Sequence, residues 1–288
     1  MMSLSVALAL AVNDAPMRER VAIPGTALAI DLVRVPAPGE GSAGPMLVSV
    51  TEIPWELYDC FIYGLDEPRT GADGATSGGA SASGTGAQAD AVTRPTKPYI
   101  SVDRGFGHAG WPAISMSFRG ATAFCTWLEA KTGRPFRLPT VSEWRSLCAA
   151  SADPSVPLEE RAWVSANAGG KTHKIGSRKA DALGLHDLCG NVAEWCVAED
   201  GKGVVLGGSY RDPPDRVGCE SLERDTPNWN RSDPQFPKSV WWLADAPHVG
   251  MRVVCSAPKP DAAAARGAAT PAHAPEQGNA EDQGKRTP

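Results

Sequence analysis

Residues 184–196 read GLHDLCGNVAEWC: a glycine turn centred on Gly190, cysteines at 189 and 196, and acidic residues at 187 and 194. Neither a two-residue nor a 3.6-residue apolar period runs through the stretch, so it reads as neither a plain strand nor a helix. Regular periodicity fades along the whole chain after residue 150. Short strands are expected only around Val204–Leu206 and Met251–Val254.

Upstream the local signals are stronger. Ser117 is placed to cap a helix over Arg119–Lys131, whose apolar stripe is Ala121, Phe124, Cys125 and Leu128. Gly133 stands where a helix ends in the left-handed region. Thr140 and Glu143 have the spacing of a capping box, and Trp144, Leu147 and Cys148 form the next buried face. Nearer the start, Ile30–Val35 alternates as a strand and Leu47–Val50 predicts another. Thr51 or Glu52 then leads into a short helix with Pro54 near its first turn and Leu57, Phe61 and Ile62 on its apolar side.

Composition narrows the function classes. The chain has 288 residues and a formal net charge of −5, with no block of Lys and Arg. Nothing in that balance attracts nucleic acid. Leu4–Val12 is an apolar run of signal-peptide length, too short to cross a bilayer as a helix. Residues 1–21 are therefore expected to be a signal peptide or N-terminal extension, the protein to be exported, and the mature chain to have no transmembrane segment. Residues 68–98 and 257–288 are rich in small and polar residues and poor in large apolar ones. Both are expected to be disordered, one as an insertion and one as a tail, which leaves a single domain over 22–256. Seven cysteines are spread along the chain without CxxC pairs, which argues against a zinc ribbon or a thioredoxin-like site. In an oxidising compartment they suit disulfides; in the cytosol they would be buried thiols.

Five segments in order resemble one family: VTEIPWELYDCF (50–61), FCTWLEAKTGRPFRLPTVSEWRSLCAA (124–150), LGLHDLCGNVAEWC (183–196), VVLGGSYRD (204–212) and HVGMRVV (248–254). Their pattern is similar to that of the sulfatase-modifying-factor, or formylglycine-generating enzyme, family. The resemblance implies an α+β, C-type-lectin-like fold with little regular secondary structure, in which Trp127, Trp144 and Trp195 are core residues. It also implies disulfides Cys125–Cys255 and Cys148–Cys219, with Cys189 and Cys196 either paired or reduced and Cys60 left over.

In the copper-dependent members, GGSY is followed by two cysteines, and two thiolates make a soft site for Cu(I). Here those positions are Asp212 and Val217. Cys219 lies two residues further on, and as a catalytic candidate it has no partner thiolate. Copper is thus not expected. The five histidines show no HxxxH spacing, so the family's three-histidine iron branch is not matched either. The resemblance does imply calcium as a possible ligand, held by Asp187 and Glu194 and the carbonyls of Gly190 and Val192. Oxygen donors around a tight turn suit that ion, although the same two carboxylates could instead satisfy backbone N–H groups or meet an Arg.

The expected function is a non-catalytic, extracytoplasmic binding or scaffold domain. Its ligand cleft would be formed by Ser209, Tyr210, Arg211, Asp212, Trp241 and Trp242, and its partner would be a protein, peptide or carbohydrate. The alternatives are a sulfatase-modifying oxidase with a rearranged site, and calcium-dependent carbohydrate binding.

Overall fold

A computed structural model describes residues 17–36, 44–67, 102–232 and 243–256. Leu4–Val12, the 68–98 insertion, the 257–288 tail, Trp241 and Trp242 lie outside the described residues. Two four-stranded sheets frame the fold. The first has the order β1 (Arg18–Ala22), β2 (Ala29–Val35), β3 (Met46–Ser49), β8 (Val254–Ser256), all antiparallel. The second has the order β6 (Gly218–Glu223), β5 (Gly203–Gly207), β4 (Ala193–Val197), β7 (Val249–Gly250), with β4 and β7 parallel. The helices are α1 (Trp55–Tyr63), α2 (Phe118–Thr132), α3 (Val141–Ser151) and the single turn α4 (Leu158–Arg161).

The local signals are where the sequence puts them. Ser117 Oγ accepts the Gly120 N–H at 3.1 Å to open α2, and Gly133 closes it at φ 69°. At α3, Thr140 Oγ1 accepts the Glu143 N–H and the Glu143 carboxylate accepts the Thr140 N–H, a complete capping box. Arg137 adds a two-pronged ion pair to Glu143, both bonds 2.7 Å. Pro54 is the N-cap of α1 rather than a first-turn residue.

The strand alternation explains how two cores share one sheet. Ile30, Leu32 and Leu47 face a main core with α1 and α2, where Phe61 meets Phe124 edge-on at 5.8 Å. Val33, Val35, Met46 and Val48 face a second core with Trp144, Leu147, Val204 and Leu206. Trp127, Trp144 and Trp195 are buried, as expected.

Three expectations change. The folded region begins before residue 22, because Arg18–Val21 pair with Ile30–Val33 in β1. The strand expected at Met251–Val254 is instead a crossing. The chain leaves the second sheet after Gly250 and joins the first at Val254, turning the Arg252 side chain into the interior between them. The Cys125–Cys255 bond is absent: both are free, buried thiols in the main core, packed as small apolar groups. Cys148–Cys219 is formed and ties α3 to β6 across a Cα separation of 5.5 Å.

Candidate functional site

The 184–196 turn is held by its backbone before its side chains. Gly190 sits at φ 83°, and a Cβ there would lie 2.6 Å from the Trp163 carbonyl oxygen, so only glycine fits. Asn191 follows at φ 51° and is fully buried. Its N–H donates to Trp163 O at 2.8 Å, its side-chain oxygen accepts the His173 N–H at 2.9 Å, and its carbonyl accepts the Tyr210 N–H at 2.9 Å. Asn191 Nδ2 donates to Glu52 at 2.8 Å, and the other Glu52 oxygen accepts the Val192 N–H at 3.0 Å. One Gly-Asn pair thus ties the turn to the segment before α1 and to the GGSY loop.

Beneath the turn lies a buried charge cluster. Arg252 is wholly enclosed and donates through Nε to both Glu194 oxygens at 2.9 and 3.2 Å. Its terminal nitrogens donate to Ser49 O at 2.6 Å and His186 O at 2.7 Å. Trp144 Nε1 donates to Glu194 Oε2 at 2.7 Å. Asp187 accepts the Gly176 N–H at 2.7 Å through Oδ2, while its buried Oδ1 has no hydrogen-bond partner. Four carboxylates, those of Glu52, Asp181, Asp187 and Glu194, therefore lie in the field of one guanidinium. Burial and the neighbouring acids push Glu52 well above the ordinary carboxylate range. Burial raises Glu194 despite Arg252, and pushes Asp187 up to about 6.

This arrangement bears on the calcium reading. Glu194 spends its oxygens on Arg252 and Trp144, so a guanidinium stands where the cation was expected. Among the described residues no three His, Cys, Asp or Glu side chains gather as a metal site. Of the expected side-chain ligands only Asp187 offers an unbonded oxygen. The four-residue set does not fit a calcium ion as expected. His186 is a packing residue, its Nδ1 donating to Arg178 O at 2.8 Å.

The GGSY loop follows β5. Asp212, at the first thiolate position, accepts from Ser209 N–H at 2.9 Å and Ser209 Oγ–H at 2.7 Å, so its carboxylate is committed within the loop. Val217, at the second, closes against Gly208, where an added Cβ would meet Val217 Cγ2 at 2.9 Å. Ser209 and Tyr210 are buried, with Tyr210 packed edge-on against Phe106 at 5.5 Å. Of the four expected cleft residues in this loop, Arg211 is exposed and Asp212 partly so, while Ser209 and Tyr210 are buried. Arg211 pairs with Glu223 at 2.7 Å, and the same oxygen lies 3.2 Å from Nε2 of buried His248. Burial acts against the Glu223 charge, yet His248 and Arg211 together hold its carboxyl below the usual range. His248 and Glu223 were missed in the sequence; His248 opens the HVGMRVV motif, which was the available signal.

The cysteines complete the picture. Cys219 is bonded to Cys148, and Cys189 and Cys196 remain free thiols. Burial pushes Cys189 up to about 12 and raises Cys196 well above the ordinary thiol value. Cys219 also borders an open groove of about 970 Å³ lined by α3 and the second sheet. The groove has apolar walls at Val141, Val204 and Leu222 and charges at Arg145, Arg224, Glu199, Asp200 and Glu220.

Comparison with known proteins agrees with this architecture. A search of curated proteins found no match. Among solved structures, the chain is similar to Treponema denticola variable protein 1, with a TM-score of 0.54 and 17% identity over 83% of this chain and 99% of that one. It is also similar to PvdO from Pseudomonas aeruginosa, with a TM-score of 0.51 and 18% identity over 81% and 99%. At such identities the likeness speaks for the fold. The model of the sulfatase-modifying factor enzyme 1-like domain matches residues 87–256, more than half of the chain. With the GNVAEW turn, the GGSY loop and the two-sheet frame in place, the chain belongs to the sulfatase-modifying factor enzyme 1-like domain family.

Proposed function

We propose that this is a non-catalytic member of the family, acting outside the cytoplasm as a binding or scaffold module. One observation carries the reading: no pair of thiolates is available at the GGSY loop. Asp212 is locked onto Ser209, Val217 is packed on Gly208, and Cys219 is held in a disulfide. A soft copper site needs two free thiolates, and buried neutral thiols such as Cys196 do not replace them. Export is supported by the Cys148–Cys219 bond, which persists in oxidising compartments, and by the apolar run at Leu4–Val12.

The groove beside β6 supports a binding role. Its volume of about 970 Å³ and its apolar walls with charged borders suit a peptide or protein segment better than a lone ion. Copper retention tests the reading. The purified chain, loaded with copper without reductant and then desalted, is expected to keep only trace metal. Stoichiometric copper that disappears in Cys219→Ser would establish the oxidase alternative instead.

A further inference from the structure

The third cysteine near the disulfide has no part in the reading above. Cys189 Sγ lies 3.6 Å from Cys148 Sγ, and Cys148 is bonded to Cys219. Cys148 carries no hydrogen in that state, so Cys189 is the free thiol of the set. On its other side Cys189 borders a small cavity of about 20 Å³ shared with Arg161, Lys179, Asp181 and Leu185. That is room for about one water, with polar walls to hold it. The cavity offers a path for the thiol proton, and Arg161 favours the thiolate electrostatically, against the larger effect of burial.

We infer that Cys148, Cys189 and Cys219 form an exchange relay in which Cys189 displaces Cys219 and presents a free Cys219 thiol to the groove beside β6. The Cys189 thiolate attacks Cys148 Sγ, and a Cys148–Cys189 bond forms. The Cys148–Cys219 bond breaks, its electron pair leaves on Cys219 Sγ, and Cys219 takes up the proton that Cys189 gave up. One disulfide and one thiol exist before and after, so no outside oxidant or reductant is needed. The three sulfurs are suited to this by position. Cys148 on α3 is the shared centre, Cys189 is fixed one residue before Gly190, and Cys219 sits on β6, the second sheet's edge strand.

The consequence is a modification site. In the first state the groove wall carries a blocked sulfur; in the second it carries a partly exposed thiol among Arg145, Arg224, Glu199, Asp200 and Glu220, with Arg145 paired to Glu220 at 3.2 Å. The freed Cys219 can then attack a disulfide carried by a partner segment that enters the groove: a Cys219–partner bond forms, the partner's disulfide breaks, and its second sulfur leaves as a thiol with the proton Cys219 gave up. The Cys189 thiol, pushed up to about 12, supplies little thiolate, which makes the exchange slow rather than spontaneous on a short time scale.

The test uses the full chain without reductant. It is held for hours at mildly alkaline pH, quenched in acid, labelled with N-ethylmaleimide, digested and mapped by mass spectrometry. The expected result is a Cys148–Cys189 linked peptide beside the Cys148–Cys219 one, with maleimide on Cys219. Cys189→Ser is expected to lose the Cys219 label, and Cys219→Ser to carry the Cys148–Cys189 bond. A wild-type map that shows only Cys148–Cys219 at every time point overturns the relay, whatever the variants do. So does a map with all three thiols free. A Cys148–Cys189 peptide that appears only together with bonds to Cys60, Cys125, Cys196 or Cys255 also overturns it, since that is scrambling of an unfolded chain.

Discussion

Replacing Arg252 with Met removes the guanidinium bonded to Glu194 while roughly preserving side-chain volume. In the native protein Arg252 and Glu194 are both fully buried, and the guanidinium also satisfies the carbonyls of Ser49 and His186. Without it, Glu194 is left as a buried carboxylate beside Glu52 and Asp187, and two carbonyls lose their donors. Removing one partner of a buried pair costs about 3–5 kcal/mol. A domain's whole stability is about 5–15 kcal/mol, so the loss takes a large fraction of it. Urea unfolding at pH 7.5, followed by tryptophan fluorescence, reads this as a lower midpoint at unchanged slope. The loss should shrink at pH 4.5, because protonation then removes the stranded charge. The double variant Arg252→Met with Glu194→Leu should recover much of it, as apolar groups often replace a buried ion pair at little cost. A single-variant loss below about 1 kcal/mol, the range of an exposed pair, or a loss independent of pH, would refute the reasoning.

Asp187 has a folded-state pKa raised from 3.8 to about 6, so the folded protein binds the extra proton and stability falls as pH rises through that window. Asp187→Asn, which keeps an acceptor for the Gly176 N–H, should be more stable than wild type at pH 7.5 by up to about 3 kcal/mol and converge with it near pH 4. Added calcium should not reverse that order in the urea curves. His108 lies between Asp59 at 2.8 Å and Asp103 at 3.1 Å, and although burial opposes it, the two carboxylates raise its pKa above 6.5. Its pairing therefore stabilises the fold at low pH and is lost as pH rises through the raised value; an NMR titration should show the midpoint falling in Asp59→Asn. Gly190→Ala forces a Cβ to within 2.6 Å of Trp163 O in a left-handed residue, and thermal unfolding should show a loss of at least about 2 kcal/mol.

What the sequence makes legible follows from the range of each interaction. Ser117, Gly133, Thr140 and Glu143 act within a few residues of themselves, so their roles could be read directly and the structure places them as expected. Glu52 and Arg252 act across 139 and 58 residues, on Asn191 and Glu194. Locally, Glu52 reads as the lead-in to a helix and Arg252 as one position of a strand, because nothing nearby shows a buried partner. The cysteines show the limit of resemblance. Of the two bonds that the resemblance implies, Cys148–Cys219 is formed, whereas Cys125 and Cys255 stay as core thiols. The cleft expected at the GGSY loop differs in burial: Ser209 and Tyr210 are buried, Ser209 bonded to Asp212 and Tyr210 packed on Phe106.

The central claim is that the fold has been kept without the chemistry. Its most direct test is aldehyde formation on a cysteine-containing peptide, with copper, oxygen and a thiol reductant supplied and an active copper-dependent enzyme of the family as positive control. The account predicts no aldehyde above the level seen without this protein. Turnover of the peptide cysteine to an aldehyde, abolished by Cys219→Ser, would contradict it.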